Sequence, residues 1–142
     1  MRKLPFLYYD STSLILIPAL ILSLYAQYRV QSTFNKYIRV SSVSGYTGVQ
    51  VARRILDSQG LADVPIELIE GRLTDHYDPR KRVLRLSKEV YYGNSIASLG
   101  VAAHESGHAI QHAYGYAPLN IRNAIVPVVN FSSQAAFIFI FI

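Results

Sequence analysis

Apolar residues are concentrated at the two ends of this chain, and a mixed polar region separates them. The N-terminal run has its apolar core at residues 14–26, and no charge occurs between positions 11 and 28. A helix that crosses a bilayer needs about 20 mostly apolar residues, and tyrosines such as Tyr25 and Tyr28 are common at its ends. The pattern predicts a transmembrane anchor over residues 1–28. A cleaved signal peptide is disfavoured because no small-x-small cleavage site follows the core.

The C-terminal apolar run covers residues 124–142 and contains no charged residue. It continues to the last residue without a polar end. Because a natural chain rarely stops inside the hydrocarbon layer, this pattern indicates a truncated sequence. We predict a second transmembrane segment over residues 123–142, cut short in this chain.

The region between the two runs has the pattern of an α+β domain. A helix is predicted over residues 47–59, where Thr47 provides the N-cap. Another helix is predicted from position 94 or 95 to about 114, and a glycine follows each helix. Three short β-like runs lie between them, at residues 64–69, 73–77 and 83–86. The predicted fold is therefore α+β, a domain of helices and a small sheet over residues 29–122 between transmembrane helices.

The charge distribution narrows the classes of function. The net charge is +5, from 14 Lys and Arg against 9 Asp and Glu. The basic cluster at residues 80–82 has no interleaved aromatic residues and follows a proline, so nucleic-acid binding is not expected. Arg29, Lys36 and Arg39 follow the predicted anchor closely. The positive-inside rule then places the central domain in the cytosol.

The later predicted helix carries His104-Glu105-Ser106-Gly107-His108, which fits the pattern His-Glu-x-x-His. Residues four apart lie on one face of a helix, so both imidazoles can reach one ion. Glu105 would lie beside the ion and can accept a proton from water that the metal activates. No cysteine is present, so a zinc site must use His, Asp or Glu. We predict Zn2+ at His104 and His108, with Glu105 as the catalytic base.

The alternative is a helix that contains this pattern by chance. Only four histidines occur in the chain, and two of them fall in the motif. Unpaired polar groups would be costly on such an otherwise apolar helix, which favours the metal site. Gly107 weakens a helix by about 1 kcal/mol, and close packing of another element would explain its presence.

A third protein ligand is not evident in the sequence. His112 lies two turns, about 12 Å, from His104, and we expect it to be solvated or to support a ligand. His76 is a candidate ligand from a strand, but a structural or substrate-contacting role is favoured. Tyr114 stands where the metzincin pattern has its third histidine, which excludes that arrangement. No Asp or Glu follows Glu105, so a carboxylate ligand from that side would lie outside this sequence.

Together these features resemble the membrane-bound neutral zinc metallopeptidase family (YugP-like) of bacteria. The resemblance rests on six stretches that occur in order, at residues 31–37, 51–57, 73–80, 86–87, 90–93 and 101–111. It implies a membrane span, a cytosolic zincin-like domain and further spans. It also implies zinc at His104 and His108, Glu105 as the base, and a Glu beyond Ile142 as the third ligand.

Within this resemblance, residues 73–79 are expected to form the edge strand beside the helix with the motif. An unfolded peptide could add to such an edge through backbone hydrogen bonds. We therefore expect His76, Tyr77 and Asp78 to contact the substrate or to support the site.

The predicted function is that of a membrane-anchored zinc-dependent endopeptidase in the bacterial cell membrane, which hydrolyses peptide bonds through metal-activated water. The expected partners are a peptide or protein substrate and the lipid bilayer. The alternative is a non-catalytic membrane pseudo-peptidase or structural subunit, because the third ligand is missing from these residues. A metal transporter is disfavoured because the second apolar run contains no ionisable residue.

Overall fold

The structure is a computed structural model that describes residues 11–141. Within these residues the chain divides into two compact units, the first ending at Val40 and the second beginning at Ser41. The first unit contains helix α1, Ser11–Tyr37, whose 27 residues extend for about 40 Å. Many of its large apolar side chains are exposed, including Leu20 and Leu22, whereas Phe34 is buried.

Among the residues that the structure describes, no helix combines the length and the apolar character needed to cross a membrane. The predicted anchor over residues 1–28 and the predicted segment over residues 123–142 lie partly outside the described residues, at positions 1–10 and 142. Helix α1 runs without a break through position 28.

The second unit is α+β with a small sheet, which confirms that part of the predicted fold class. Its elements in chain order are α2 (Gly48–Ser58), β1 (Ile66–Ile69), β2 (His76–Asp78), β3 (Val83–Ser87), α3 (Lys88–Tyr91), α4 (Ile96–Ala113) and α5 (Ala117–Phe141). The helices α2 and α4 agree with the predicted ones to within two residues at each end. The short helix α3 was not predicted, because a single turn has no periodic pattern to recognise.

The three strands form one small mixed sheet in the order β1-β3-β2. Strand β3 is central, pairing in parallel with β1 and antiparallel with β2. In the described part of the chain, β2 is therefore an edge strand, and it also contacts α4. This confirms that residues 73–79 contain an edge strand beside the helix with the motif.

Strand β2 begins three residues later than predicted. Leu73 has φ 56°, a left-handed conformation that ends any extended run there. The hydroxyl of Thr74 donates a hydrogen bond to the carbonyl oxygen of Glu70 at 3.0 Å. These residues therefore form a turn, and the extended backbone begins at His76.

The core of the second unit lies where α2 and α4 pack against each other and where α4 contacts β3. Leu84 and Leu86 of β3 are fully buried, and so are Ala52 and Leu56 of α2. The buried face of α4 carries only small side chains: Ser98, Ala102, Ser106 and Ala109. Small residues allow two helices to approach closely, and this packing holds the opposite face of α4 in place.

Gly48 shows how close the approach is at the start of α2. A Cβ at this position would lie 2.1 Å from the carbonyl oxygen of Val90. The Gly48 N–H also donates a hydrogen bond to the carbonyl oxygen of Gly93 at 2.9 Å. Only glycine fits there, so the loop after α3 is tied directly to the first turn of α2.

Helix α4 has a clear beginning and a clear end. Ser95 is the N-cap, and its Oγ accepts a hydrogen bond from the N–H of Ser98 at 3.0 Å. Gly115 follows the helix with φ 66°, the left-handed conformation typical of a helix end. The next helix, α5, begins at Ala117 and packs against α4. This brings residues beyond Tyr116 back toward the motif.

Candidate metal centre

Two histidines of α4 face the same point in space. The Nε2 atoms of His104 and His108 lie 3.2 Å apart, and their ring planes are inclined at 81°. Residues four apart lie on one side of a helix, which accounts for the pairing. His104 is exposed and His108 is half-buried, so the pair lies at the surface of the second unit.

The donor set suits a zinc ion. Two imidazole nitrogens bound at 2.0–2.1 Å to one tetrahedral ion lie roughly 3.3 Å apart, close to the spacing of His104 and His108. A carboxylate oxygen of Glu105 and both imidazoles offer ligand atoms within 4.8 Å of one another. In the described residues, this cluster includes neither His76 nor His112. The side chains therefore provide two nitrogen ligands and one adjacent carboxylate.

Gln111 orients the imidazole of His108. Its Oε1 lies 3.0 Å from His108 Nδ1. An amide oxygen can only accept, so Nδ1 carries the hydrogen and the lone pair of Nε2 faces His104. Such a partner fixes the tautomer of a metal-binding histidine and raises its basicity.

Glu105 is half-buried between the motif and strand β2. Burial raises the pKa of its carboxyl group, and this outweighs the opposing effects of the two neighbouring imidazoles. A hydrogen bond from the backbone N–H of Tyr77 also favours the charged form. The carboxylate is therefore held in place by β2, and its raised pKa makes it a stronger base than an exposed glutamate.

Tyr77 connects the edge strand to the end of α4. Its phenolic oxygen lies 3.0 Å from Nδ1 of His112, and the two ring centroids are 5.7 Å apart. Burial raises the pKa of Tyr77 and outweighs the lowering effect of the adjacent Arg82. The phenol is thus protonated and can donate to His112. His112 thus contacts Tyr77, which is not one of the predicted metal ligands, and its predicted support of a ligand stays a prediction.

His76 and Asp78 point to the sheet face opposite Tyr77, since successive residues of a strand alternate. Nδ1 of His76 lies 2.8 Å from the carbonyl oxygen of Thr74, and its Nε2 lies 3.5 Å from Arg85. The guanidinium of Arg85 donates to Asp78 Oδ2 at 3.1 Å. Both side chains therefore have local partners within the hairpin. Contact with the substrate or support of the site stays a prediction for both residues.

A cavity of about 260 Å3 lies beside the motif. Its lining comes from the end of β2 and the turns around it, from α4 and from α5: Asp75, His76, Tyr77, Pro79, Glu105, His108, Arg122 and Asn123. Asp75 is fixed there by Ser87, whose N–H and hydroxyl donate to its carboxylate at 2.7 and 3.1 Å. The space is large enough for part of a peptide, and the proposed base lies in its wall.

The explanation considered for Gly107 was wrong for the residues that the structure describes. A Cβ at this position would meet no atom within 4 Å. The space around Gly107 is open because α2 and β3 pack on other faces of α4. Close packing by another element therefore does not account for this glycine here.

Four residues of the site were not identified from the sequence: Asp75, Gln111, Arg122 and Asn123. Gln111 had a detectable signal, because it lies three residues after His108 on the same helix face. Arg122 and Asn123 had none. They reach the cavity only because the chain turns after Tyr116 and α5 packs against α4.

Comparison with known proteins decides the family. The family model described as "Putative neutral zinc metallopeptidase" matches residues 12–142. The chain belongs to this family. The chain is 57% identical over 120 residues to "Putative membrane protease YugP" of Bacillus subtilis (strain 168). The match covers 84% of the chain and 53% of the relative, so the chain spans about half the length of the curated relative it matches. No solved structure matches it.

Membership in the neutral zinc metallopeptidase family confirms the resemblance inferred from the sequence. The family name implies zinc, and the side chains of His104 and His108 fit that ion by spacing and donor type. The match begins near the start of α1 and includes all of the second unit. The cavity, the motif and the edge strand therefore all lie within the region that defines the family.

Proposed function

We propose that this protein is a zinc-dependent endopeptidase in which His104 and His108 bind the metal and Glu105 is the general base. The 3.2 Å spacing of the two Nε2 atoms carries the proposal, because it suits one tetrahedral ion. The family description and the name of the Bacillus relative support it. The substrate is a peptide or protein segment that enters the cavity in an extended conformation.

The chemistry that zinc supplies when bound is polarisation of a carbonyl group and acidification of water. Glu105 accepts the proton of the attacking water and later transfers it to the leaving nitrogen. Its carboxylate is kept in position by the backbone N–H of Tyr77. Burial raises its pKa toward the working pH, where a general base is most effective.

The walls of the cavity position the substrate. Strand β2 is at the sheet edge and lies against α4, so its backbone can guide an extended peptide toward Glu105. His112 fixes the phenol of Tyr77 on the same side of the strand. Movement of a substrate by about 1 Å can reduce a rate 100-fold, so this fixation matters for catalysis.

A catalytic zinc ion usually has three protein ligands and one open position. The described residues offer two imidazoles and the carboxylate of Glu105. We propose that the third ligand is a Glu from the part of the longer protein that corresponds to the unmatched half of the relative. Glu105 is then free to act as the base.

A second candidate function follows from the same observation. If no third ligand completes the site, the protein is a non-catalytic pseudo-peptidase that keeps the helix for structural reasons. The spacing of His104 and His108 alone is compatible with this, since two imidazoles can bind a metal ion weakly without activating water.

The experiment measures zinc content and peptide hydrolysis in the full-length protein and in its Glu105→Gln variant. The endopeptidase proposal expects both proteins to contain about one zinc, with the rate falling about 100-fold to 10,000-fold in the variant. His104→Ala is the companion variant, and it is expected to lose the metal as well as activity. Zinc absent from the unchanged protein would overturn the proposal. Zinc present without activity in either protein would establish the pseudo-peptidase.

We also propose that the protein is attached to the cell membrane through the apolar segments at residues 1–28 and 123–142, with the domain in the cytosol. The name of the Bacillus relative and the exposed apolar side chains of α1 support this.

Two experiments test the attachment and the topology. Washing isolated membranes with alkaline carbonate, which removes peripheral proteins, should leave this protein in the membrane pellet. The residues of this chain contain no cysteine, so Lys81→Cys provides a single thiol within them, and the protein without this substitution is the control. An impermeant maleimide should react with it only after the cells are opened, and reaction with intact cells would reverse the topology.

A further inference from the structure

A second cavity, of about 440 Å3, adjoins the one beside the motif. The two share three lining residues: Pro79, Arg122 and Asn123. The second cavity extends past His112 to the middle of α5, where Val126 and Pro127 form an apolar wall. We call it the α5 groove. A molecule bound at the motif can therefore continue into this groove without leaving the protein surface.

The α5 groove has an excess of positive charge. Arg80, in the turn after β2, and Arg122, on α5, both line it. Within residues 11–141, neither guanidinium takes part in an ion pair (the described pairs involve Arg53, Arg72, Arg82 and Arg85). The amide side chains of Asn120 and Asn123 are also in the lining.

Asp78 is the one carboxylate among the lining residues of the groove, and its oxygens are already occupied. Oδ1 accepts hydrogen bonds from the N–H groups of Arg80 and Lys81, at 3.0 and 3.2 Å. Oδ2 accepts from the guanidinium of Arg85 at 3.1 Å. Asp78 is thus already paired with Arg85 and with the backbone of the turn, and this reduces its attraction for the side chains of Arg80 and Arg122.

We propose that the α5 groove is a substrate subsite in which Arg80 and Arg122 bind a carboxylate group of the peptide. Guanidinium groups bind carboxylates through paired, charge-assisted hydrogen bonds. Val126 and Pro127 add an apolar surface on which the aliphatic part of the same residue or its neighbour can pack. This inference rests on the proposed peptidase function and specifies its substrate class: peptides with a carboxylate near the bond that is cut.

The carboxylate has two sources, an acidic side chain or the free C-terminus of the peptide. Short fluorescent peptides of mixed sequence, prepared in four forms, distinguish them. One residue is Glu or Gln, and the C-terminus is either free or amidated. Binding to the full-length protein with Glu105→Gln is measured by fluorescence anisotropy, which does not depend on catalysis.

Each source gives its own result. Tighter binding of the Glu forms, by about tenfold, assigns the groove to an acidic side chain, and tighter binding of the free C-terminus assigns it to the chain end. In either case Arg122→Gln should remove the preference, and Arg80→Gln should weaken it. Lys81→Gln is the matched control, because it removes one positive charge from the same turn but does not line the groove. It should leave the preference unchanged.

Three results would overturn the subsite: equal binding of all four forms, no binding of any form, or a preference that survives both Arg122→Gln and Arg80→Gln. Failure of the peptidase function is detected separately. In that case the protein with an intact Glu105 binds these peptides but does not hydrolyse them. Hydrolysis with no preference for a carboxylate retains the peptidase and rejects the subsite.

Discussion

The phenolic oxygen of Tyr77 lies 3.0 Å from Nδ1 of His112, and this contact joins the edge strand to the last turn of α4. The backbone N–H of the same tyrosine donates to Glu105. One residue of β2 therefore contacts α4 at two points about two turns apart. The edge strand is held against the motif by polar contacts as well as by the core.

We expect Tyr77→Phe to lower the free energy of unfolding by about 1 kcal/mol, because a partly buried hydrogen bond is lost and His112 keeps an unpaired nitrogen. A double-mutant cycle with His112→Ala should give a coupling energy of similar size. Denaturant unfolding provides both values. Tyr92→Phe, at an exposed tyrosine, is the control and should change stability by less than about 0.5 kcal/mol. Strictly additive effects of the two substitutions would contradict the contact.

Gln111 should tune zinc binding without binding the metal. We expect Gln111→Ala to weaken zinc affinity about 10-fold to 100-fold, because His108 loses the acceptor that orients its ring. Gln111→Glu retains an acceptor and should keep or increase the affinity. Competition with a fluorescent chelator measures both values in the full-length protein. Equal affinities for the alanine and glutamate variants would show that the contact does not influence the metal.

Asp78 should make stability depend on pH. Burial tends to raise its pKa, but hydrogen bonds from Lys81, Arg85 and Arg80 outweigh this and hold the pKa below the usual value of 3.8. The contribution of a carboxylate with a depressed pKa is fully present above the unfolded-state pKa and is lost as the pH falls through the folded-state pKa. Asp78→Asn should therefore destabilise the protein by about 1 kcal/mol at neutral pH, and the difference should shrink at acid pH below 3.8.

Thermal unfolding of both proteins across the pH range tests this. The control is Asp63→Asn. The carboxylate of Asp63 pairs with Arg82, and its side chain is 58% exposed. Such a pair contributes little, so its loss should change stability by less than about 1 kcal/mol. A difference between Asp78→Asn and the unchanged protein that stays constant down to the acid limit would count against the depressed pKa.

Two glycines should respond in opposite ways to alanine. Gly48→Ala places a methyl group against the carbonyl oxygen of Val90 and should cost about 3 kcal/mol. Gly107→Ala meets no neighbour within 4 Å and should raise helix stability by up to about 1 kcal/mol. Denaturant unfolding of the two variants under the same conditions measures both changes in the free energy of unfolding. Marked destabilisation by Gly107→Ala would show that another part of the full-length protein packs on this face of α4.

Much of the local structure was predictable because its signals are local. The caps and following glycines of α2 and α4 located these helices, and the β-branched and aliphatic run at residues 83–86 located β3. The start of β2 was placed too early, because the left-handed conformation of Leu73 is not signalled by its residue type. Helices α1 and α5 continue past the predicted domain boundaries at residues 28 and 122. Those boundaries were placed where the apolar runs end and begin, and a helix can continue from apolar into polar sequence.

In the candidate site, too, some features follow from local sequence and others from contacts between distant residues. The sequence by itself determined the pairing of His104 and His108 and the place of Glu105 beside them, because helix geometry sets which residues share a face. Only the tertiary structure decided that Tyr77 meets His112, that His76 and Asp78 turn toward Arg85, and that Arg122 closes the cavity. Those contacts depend on how a strand and a second helix pack against α4, and residue spacing along the chain carries no information about such distant approaches.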